Sequence, residues 1–227
     1  TPEGLVDFIN AFCVKTRDDR VLDPTCGTGT FLIRAYDRMK ILGQREHRKL
    51  LTQLWGVDIA HFPAELATIN LFRQDLSDYA NFPRIVSKDV FEVRVGQSFQ
   101  FPPPKASLDS SFNLVEERLP IFDAAVGNFP YIRQELINRR VKGYKEFLER
   151  TLAEEWLVDY PDAFVILEGE LKEYERAKEE GRQPTVDYSK VELKLSGQAD
   201  IYAYLFLHTA HFIREGGRMG FVTSNAW

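Results

Sequence analysis

Three carboxylates and an amide close four apolar runs in this chain. Asp23 ends "RVLD", Asp58 ends "LWGVD", Asp89 follows "RIVSK" and Asn128 follows "IFDAAVG". If those runs lie side by side as parallel strands, the four side chains line one edge of the sheet, where open α/β sheets hold their ligands. Gly27 and Gly29 follow Asp23 in "DPTCGTG", a strand-to-helix turn whose missing Cβ atoms let a ligand approach the backbone. An acid at the end of the second strand is where an α/β nucleotide site engages ribose hydroxyls. Asn128 opens "NFPY". Its side-chain oxygen and the adjacent backbone carbonyl of Phe129 can accept both protons of an amino group, Tyr131 can stack on a planar ring, and Pro130 stiffens the turn between them. Plainer uses exist for each part: strand-end aspartates cap helices, a Gly-x-Gly closes a turn, and Asn with Pro makes a surface turn. Their concentration at successive run ends is what points to a ligand crevice.

The elements that must position these residues alternate. "TPEGLVDFINAFCV" predicts a helix with Thr1 as N-cap, Pro2 at the first helical position and apolar Leu5, Val6, Phe8, Ile9 and Phe12. A strand through Val21 and Leu22 leads to a helix from about Thr30. "QLWGVDI" is a second strand, "PAELATINLFR" a helix, "RIVSKDVFEV" a third strand and "IFDAAVGNFPY" a fourth. "DIYAYLFLHTAHFIREGG" reads as one long helix closed by Gly216 and Gly217, and "RMGFVTSNAW" as a fifth strand. Such alternation predicts an α/β fold with a mostly parallel sheet and helices on both faces. Two stretches break the rhythm. Residues 95–119 contain three consecutive prolines and read as a surface excursion. Residues 133–198 read as a charged helical insertion, basic over 133–150 and acidic beyond, in which Phe164, Leu167, Leu171 and Tyr174 form a helical packing stripe.

Composition narrows the classes. With 44% hydrophobic and 28% charged residues the chain has the makeup of a globular domain. No apolar run approaches the roughly 20 residues of a membrane span, no signal peptide is visible, and no membrane partner is expected. Two cysteines, Cys13 and Cys26, are too few for a disulfide framework, so a reducing, cytoplasmic setting is the default. His208 and His211 sit in an apolar run and read as packing residues, and no metal site is expected. A net charge of −5 argues against strong autonomous DNA binding. The chain lacks an initial Met and reads as one domain, 1–227, of something longer.

Taken together, "TPEGLVDFI", "DPTCGTGTFL", "WGVDI", "KDVF", "GNFPYIRQE" and "ADIYAYLFLHTAHFIREGGRMGFVTSNAW" resemble the motifs, in order, of class I S-adenosylmethionine-dependent methyltransferases. More narrowly, they resemble adenine-specific (N6-adenine) DNA methyltransferases of restriction-modification or phage-defence systems. The resemblance implies a Rossmann-like methyltransferase fold with S-adenosyl-L-methionine as cofactor. By it, Asp23, Thr25, Gly27 and Gly29, helped by Thr1 and Pro2, cradle the methionine part, while Asp58 takes the ribose hydroxyls with Ile59 beside the adenine. Asp89 accepts from the adenine amino group, with Val90 or Phe91 packing near its ring. Asn128 and the Phe129 carbonyl hold the target amino group and Tyr131 stacks on the base, so Asn128, Phe129, Pro130 and Tyr131 form the catalytic turn. The implied substrate is double-stranded DNA with its target adenine flipped out. A target-recognition domain is expected beyond residue 227, together with a restriction or specificity domain or subunit. Arg139, Arg140, Lys142 and Lys145 could meet phosphates or form a solvated helix face. One letter departs from the family's Asn-Pro-Pro-Tyr: Phe129 stands where the first proline does, which puts preorganisation of that carbonyl in question. Two readings stay open beside this one, a methyltransferase for another planar amino or amide group (protein glutamine, RNA or cytosine) and a cofactor-binding DNA-recognition module with weak catalysis.

Overall fold

The computed structural model describes residues 1–76, 82–102, 114–130, 142–182, 185–194 and 200–223. They divide into two compact units, Thr1–Phe129 with Thr209–Trp227, and Pro130–His208.

The first unit is built on α1 (Glu3–Cys13), β1 (Val21–Asp23), α2 (Thr30–Ile41), α3 (His47–Gln53), β2 (Leu54–Asp58), α4 (His61–Phe72) and β3 (Arg84–Ser87), then β4 (Ser98–Phe101), β5 (Val115–Arg118), β6 (Phe122–Asn128) and β9 (Ile213–Val222). Five of these strands form one sheet in the order β3-β2-β1-β6-β9, and every neighbouring pair is parallel. The C-terminal ends of β1, β2, β3 and β6 therefore share one edge. A core under one face takes Val6 and Ile9 from α1, Leu32 and Met39 from α2, and Ala67 and Leu71 from α4, packed on β-strand residues such as Val21 and Val126. Burial of the Val, Leu, Ile and Met side chains among them contributes roughly 1.5–3 kcal/mol each, and that cohesion holds the sheet edge in place.

Several elements differ from the sequence reading. Pro2 is the N-cap of α1, not its first helical residue: its backbone is extended (φ −59°, ψ 135°), and its carbonyl accepts from the Leu5 and Val6 N–H groups at 3.1 and 3.2 Å. Thr1 makes no cap bond, and its hydroxyl is used elsewhere. Of the apolar residues on α1, Leu5, Phe8 and Phe12 face outward. The third strand stops at Ser87, because Asp89 caps a 3₁₀ turn over Val90–Glu92. The described ends of the 95–119 stretch form an antiparallel hairpin, β4 with β5. Phe101 of that hairpin lies edge-to-face on buried Trp55 at 5.5 Å, and Glu117 takes both arms of the buried Arg84 guanidinium. Gly216 and Gly217 do not close a helix. The last helix ends at His211, and the pairing of β9 with β6 jumps from Phe122–Ile213 to Ala124–Arg218. Residues 214–217 loop out opposite Asp123, which pairs with Arg214 at 2.6 Å. This bulge needs Gly216 at φ 71° and Gly217 where a Cβ would sit 2.4 Å from Ile213.

The second unit contains α5 (Tyr144–Trp156), β7 (Phe164–Ile166), α6 (Glu168–Glu179), β8 (Val191–Leu193) and most of α7 (Ile201–His211). The expected helical stripe is split here. Phe164 pairs across β7–β8 with Leu193, and α6 starts only after Leu167. Phe164 and Tyr174 still meet in one core with Leu157 and Val191, while Leu167 and Leu171 are exposed. His208 takes a core role, buried with its Nδ1 2.8 Å from the Glu155 carboxylate. Among the described residues no helix is long and apolar enough to cross a membrane, and no cluster of His, Cys, Asp and Glu is arranged for a metal ion.

Candidate cofactor and amino-group site

The turn after β1 separates the duties of its two glycines. Gly29, at φ 86°, begins α2, and a Cβ there would stand 3.2 Å from both Cα and Cβ of Ala67. Its lack of a side chain lets α2 approach α4. Gly27, at φ 53°, would place a Cβ in open space, and its N–H donates to Asp58 Oδ2 at 2.8 Å. Gly27 is thus the point where the loop backbone is open to a ligand. Between them and the sheet, Cys26 is buried beside Asp23 and Asp58, and burial followed by those two carboxylates pushes its thiol far up. It stays protonated and packs, and supplies no nucleophile.

Asp23 is buried at the end of β1, with Oδ1 accepting from the Thr25 N–H at 3.2 Å. Desolvation, opposed by that bond and reinforced by Asp58, lifts its carboxyl from the ordinary 3.8 to about 8. Room for it comes from Gly127 on β6, where a Cβ would lie 2.7 Å from Asp23 Oδ1. Gly127→Ala is expected to cost about 1–3 kcal/mol of stability in a denaturant titration, since neither the strand nor the packed carboxyl can yield freely.

Asp58 and Asp89 both do the plainer work as well. Asp58 Oδ1 accepts from the Ala60 N–H at 2.8 Å, and Asp89 Oδ1 from the Phe91 N–H at 3.0 Å. A carboxylate oxygen has two lone pairs, so capping does not exhaust either group. Ile59, directly after β2, is 72% exposed, whereas Val90 and Phe91 are buried.

Asn128 ends β6 between two threonines. Its Nδ2 donates to Thr1 Oγ1 at 3.0 Å, and its backbone carbonyl accepts from Thr25 Oγ1 at 3.3 Å. The first bond orients the amide, and with Nδ2 turned to Thr1 the amide oxygen faces the other way. The structure thus brings Thr1, Asp23, Thr25, Gly27, Asp58 and Asn128 together at one sheet edge. Phe129 is buried, its N–H donates to the Val222 carbonyl at 3.1 Å, and its ring stacks on Phe221 at 4.1 Å. Pro130, half-buried, begins the second unit. Tyr131, Arg139 and Arg140 lie outside the described residues. Lys142 is exposed, and Lys145 is 3.7 Å from Glu149 on its own helix. Sequence reasoning missed Gly127, Phe221, the Val222 carbonyl and the bond from Asn128 to Thr1. The first three depend on which strands become neighbours and the last on where the residues ahead of α1 pack, and no local pattern signals either.

A parallel sheet in this order, with a glycine turn after β1, an acid ending β2 and an amide ending β6, defines a Rossmann-like methyltransferase domain. Residues 1–186 match the N-6 DNA Methylase family, and the chain belongs to it. S-adenosylmethionine is the methyl donor of that family. Two relatives illustrate the kinship. The type I restriction enzyme EcoEI methylase subunit of Escherichia coli is 31% identical over 31% of this chain and 15% of its own. The type II restriction enzyme and methyltransferase RM.BcgI of Heyndrickxia coagulans is 38% identical over 31% of this chain and 12% of its own. The chain therefore spans only a small part of these relatives. The same fold recurs in the ATP-dependent Type ISP restriction-modification enzyme LlaBIII bound to DNA, with a TM-score of 0.54 and 19% identity over 100% of this chain and 14% of that one. It recurs also in the DrdV-DNA complex, with a TM-score of 0.54 and 17% identity over 97% of this chain and 20% of that one.

Proposed function

We propose that this domain transfers a methyl group from S-adenosyl-L-methionine to the exocyclic amino group of adenine in double-stranded DNA, as the modification part of a cytoplasmic restriction-modification or phage-defence system. The observation that carries the reading is Asn128, fixed by Thr1 at the end of β6 beside the open Gly27 loop. The residues present suit the cofactor. Gly27 offers unobstructed backbone, buried Asp23 offers a carboxyl to a cationic group, Asp58 offers lone pairs to hydroxyls, and exposed Ile59 offers an apolar surface to a ring. The cofactor supplies a methyl group on a sulfonium.

The chain's own residues make the nitrogen reactive. An aromatic amino group is a weak nucleophile because its lone pair is delocalised into the ring. Asn128 Oδ1 and the Phe129 carbonyl, each accepting one of its protons, favour a pyramidal nitrogen whose lone pair is available. The new N–C bond forms as the C–S bond breaks, and the nitrogen sheds one proton to solvent. Both acceptors exist before substrate arrives, so little reorganisation is needed in the transition state. A base inside a duplex cannot reach a sheet edge, so the adenine is flipped out, with Tyr131 to stack on it. Target recognition is assigned to chain beyond residue 227, and a restriction or specificity domain or subunit to the complete system. Sequencing genomic DNA from cells with and without the full-length gene tests the reading. N6-methyladenine at one recurring sequence, present only with the gene, is expected. Its absence, with label from a tritiated methyl donor appearing instead in RNA or protein, moves the domain to another amino-group substrate.

A further inference from the structure

The turn that follows β6 carries Phe129 where the family's motif has its first proline, and the structure shows what that residue does in place of a fixed φ. Two contacts hold it, and a third braces its aromatic partner. Its N–H donates to the Val222 carbonyl at 3.1 Å, the bond that closes the parallel β6–β9 ladder at the Asn128–Val222 pair. Its ring is buried and lies nearly flat on Phe221, with centroids 4.1 Å apart and planes 20° apart. Gly127, opposite Phe221 in the ladder, would bring a Cβ to 3.5 Å from that ring, so the ring packs directly against bare backbone. A proline at 129 could make neither of the first two contacts, having no N–H to donate and no aromatic ring to stack.

We propose that the Phe129 side chain and Phe221 are positioning residues of the amino-group clamp: a buried ring stack and the closing bond of the ladder hold the Phe129 carbonyl where proline would hold it by ring closure. This rests on the reading of Asn128 and the Phe129 carbonyl as the acceptors of the target amino group. The consequence runs against the motif. Restoring the family's letter at this position removes the anchor this chain has built, so Phe129→Pro lowers activity. The carbonyl is a backbone atom present in every variant, so what changes is its placement and not its chemistry.

The test uses the full-length protein with Phe129→Pro, Phe221→Ala and Phe221→Tyr. Methyl transfer to duplex DNA and hydrogen exchange of the segment 122–130 are both measured. Phe129→Pro and Phe221→Ala are each expected to lower kcat at least tenfold with the cofactor KM changed less than twofold. Phe221→Tyr, which keeps the ring, is expected to stay within threefold of the unaltered protein. Exchange of 122–130 is expected to quicken at least tenfold in Phe221→Ala while exchange in α2 is unchanged. A Phe129→Pro protein as active as the unaltered one, or protection of 122–130 unaffected by Phe221→Ala, overturns the anchor. Should the unaltered protein transfer no methyl group to DNA, the functional reading falls and the exchange measurement alone decides the anchor.

Discussion

Asn128→Ala in the full-length protein is expected to cut methyl transfer to adenine in duplex DNA by about 100- to 1,000-fold, the usual consequence of removing one preorganised hydrogen-bonding group from a reacting centre. The loss is expected in kcat, because in the proposed clamp the amide acts on the nitrogen as it pyramidalises and not on the cofactor. Cofactor binding, measured by calorimetry, is expected to change less than about threefold, since Asp23, the Gly27 backbone and Asp58 are held by other bonds. Folding is expected to survive. Asn128 is only half-buried, and the neighbouring ladder through Phe129 and Val222 does not use its side chain. Transfer within threefold of the unaltered protein refutes the assignment of the amide as an acceptor. Thr1 gives the substitution its context. The threonine hydroxyl holds the amide's donor end, so the oxygen is presented in one orientation and not two.

The candidate site was legible where its parts are local, and hidden where they meet through the sheet. Asp23, Asp58 and Asn128 stand out in the sequence because each is a polar residue closing an apolar run, and the alternation of strands and helices sends such residues to one edge. The same logic separates a glycine turn from its surroundings but cannot divide its labour. That Gly29 serves helix packing while Gly27 lies open follows from where α4 lands. Gly216 and Gly217 show a local signal with two meanings. A glycine pair after a helical run reads as a stop, yet here His211 ends the helix and the pair forms the bulge that lets β9 resume register with β6. Phe164 is a similar case. Its spacing to Leu167 and Leu171 is helical, but the β7–β8 hairpin captures it before α6 begins, and only its burial with Tyr174 survives from the expected stripe. The Phe129–Phe221 stack is the clearest limit. From the sequence, Phe129 is a missing proline. Its replacement constraint comes from a strand near the other end of the chain, and the aromatic pair it forms contributes about 0.5–1.5 kcal/mol beyond burial that no window of sequence contains.

Asp23 makes the second large effect a function of pH. Burial raises its carboxyl to about 8 in the fold, against 3.8 when unfolded, so between about pH 4 and pH 8 the folded state binds more protons than the unfolded one. Stability without ligand therefore falls as pH rises through that window. The contribution of Asp23 is fully present below about pH 4, is lost progressively as pH rises, and levels off above about pH 8, with a total on the order of 5 kcal/mol. Asp23→Asn, a neutral group of the same shape, is expected to flatten that slope, leaving the protein at least as stable as the unaltered one at pH 9 in thermal melts. A cation beside Asp23 reverses the balance. The methionine part of S-adenosylmethionine carries an ammonium and a sulfonium, and a ligand that requires the ionised carboxylate expels the proton on binding. Its affinity is then expected to rise with pH up to about 8, approaching tenfold per pH unit below that point, with proton release visible as a buffer-dependent binding enthalpy. Asp23→Asn is expected to abolish both the proton release and the pH dependence while weakening binding at pH 8. Cofactor affinity that is flat from pH 5 to pH 8 in the unaltered protein refutes the pairing of Asp23 with the cationic part of the cofactor.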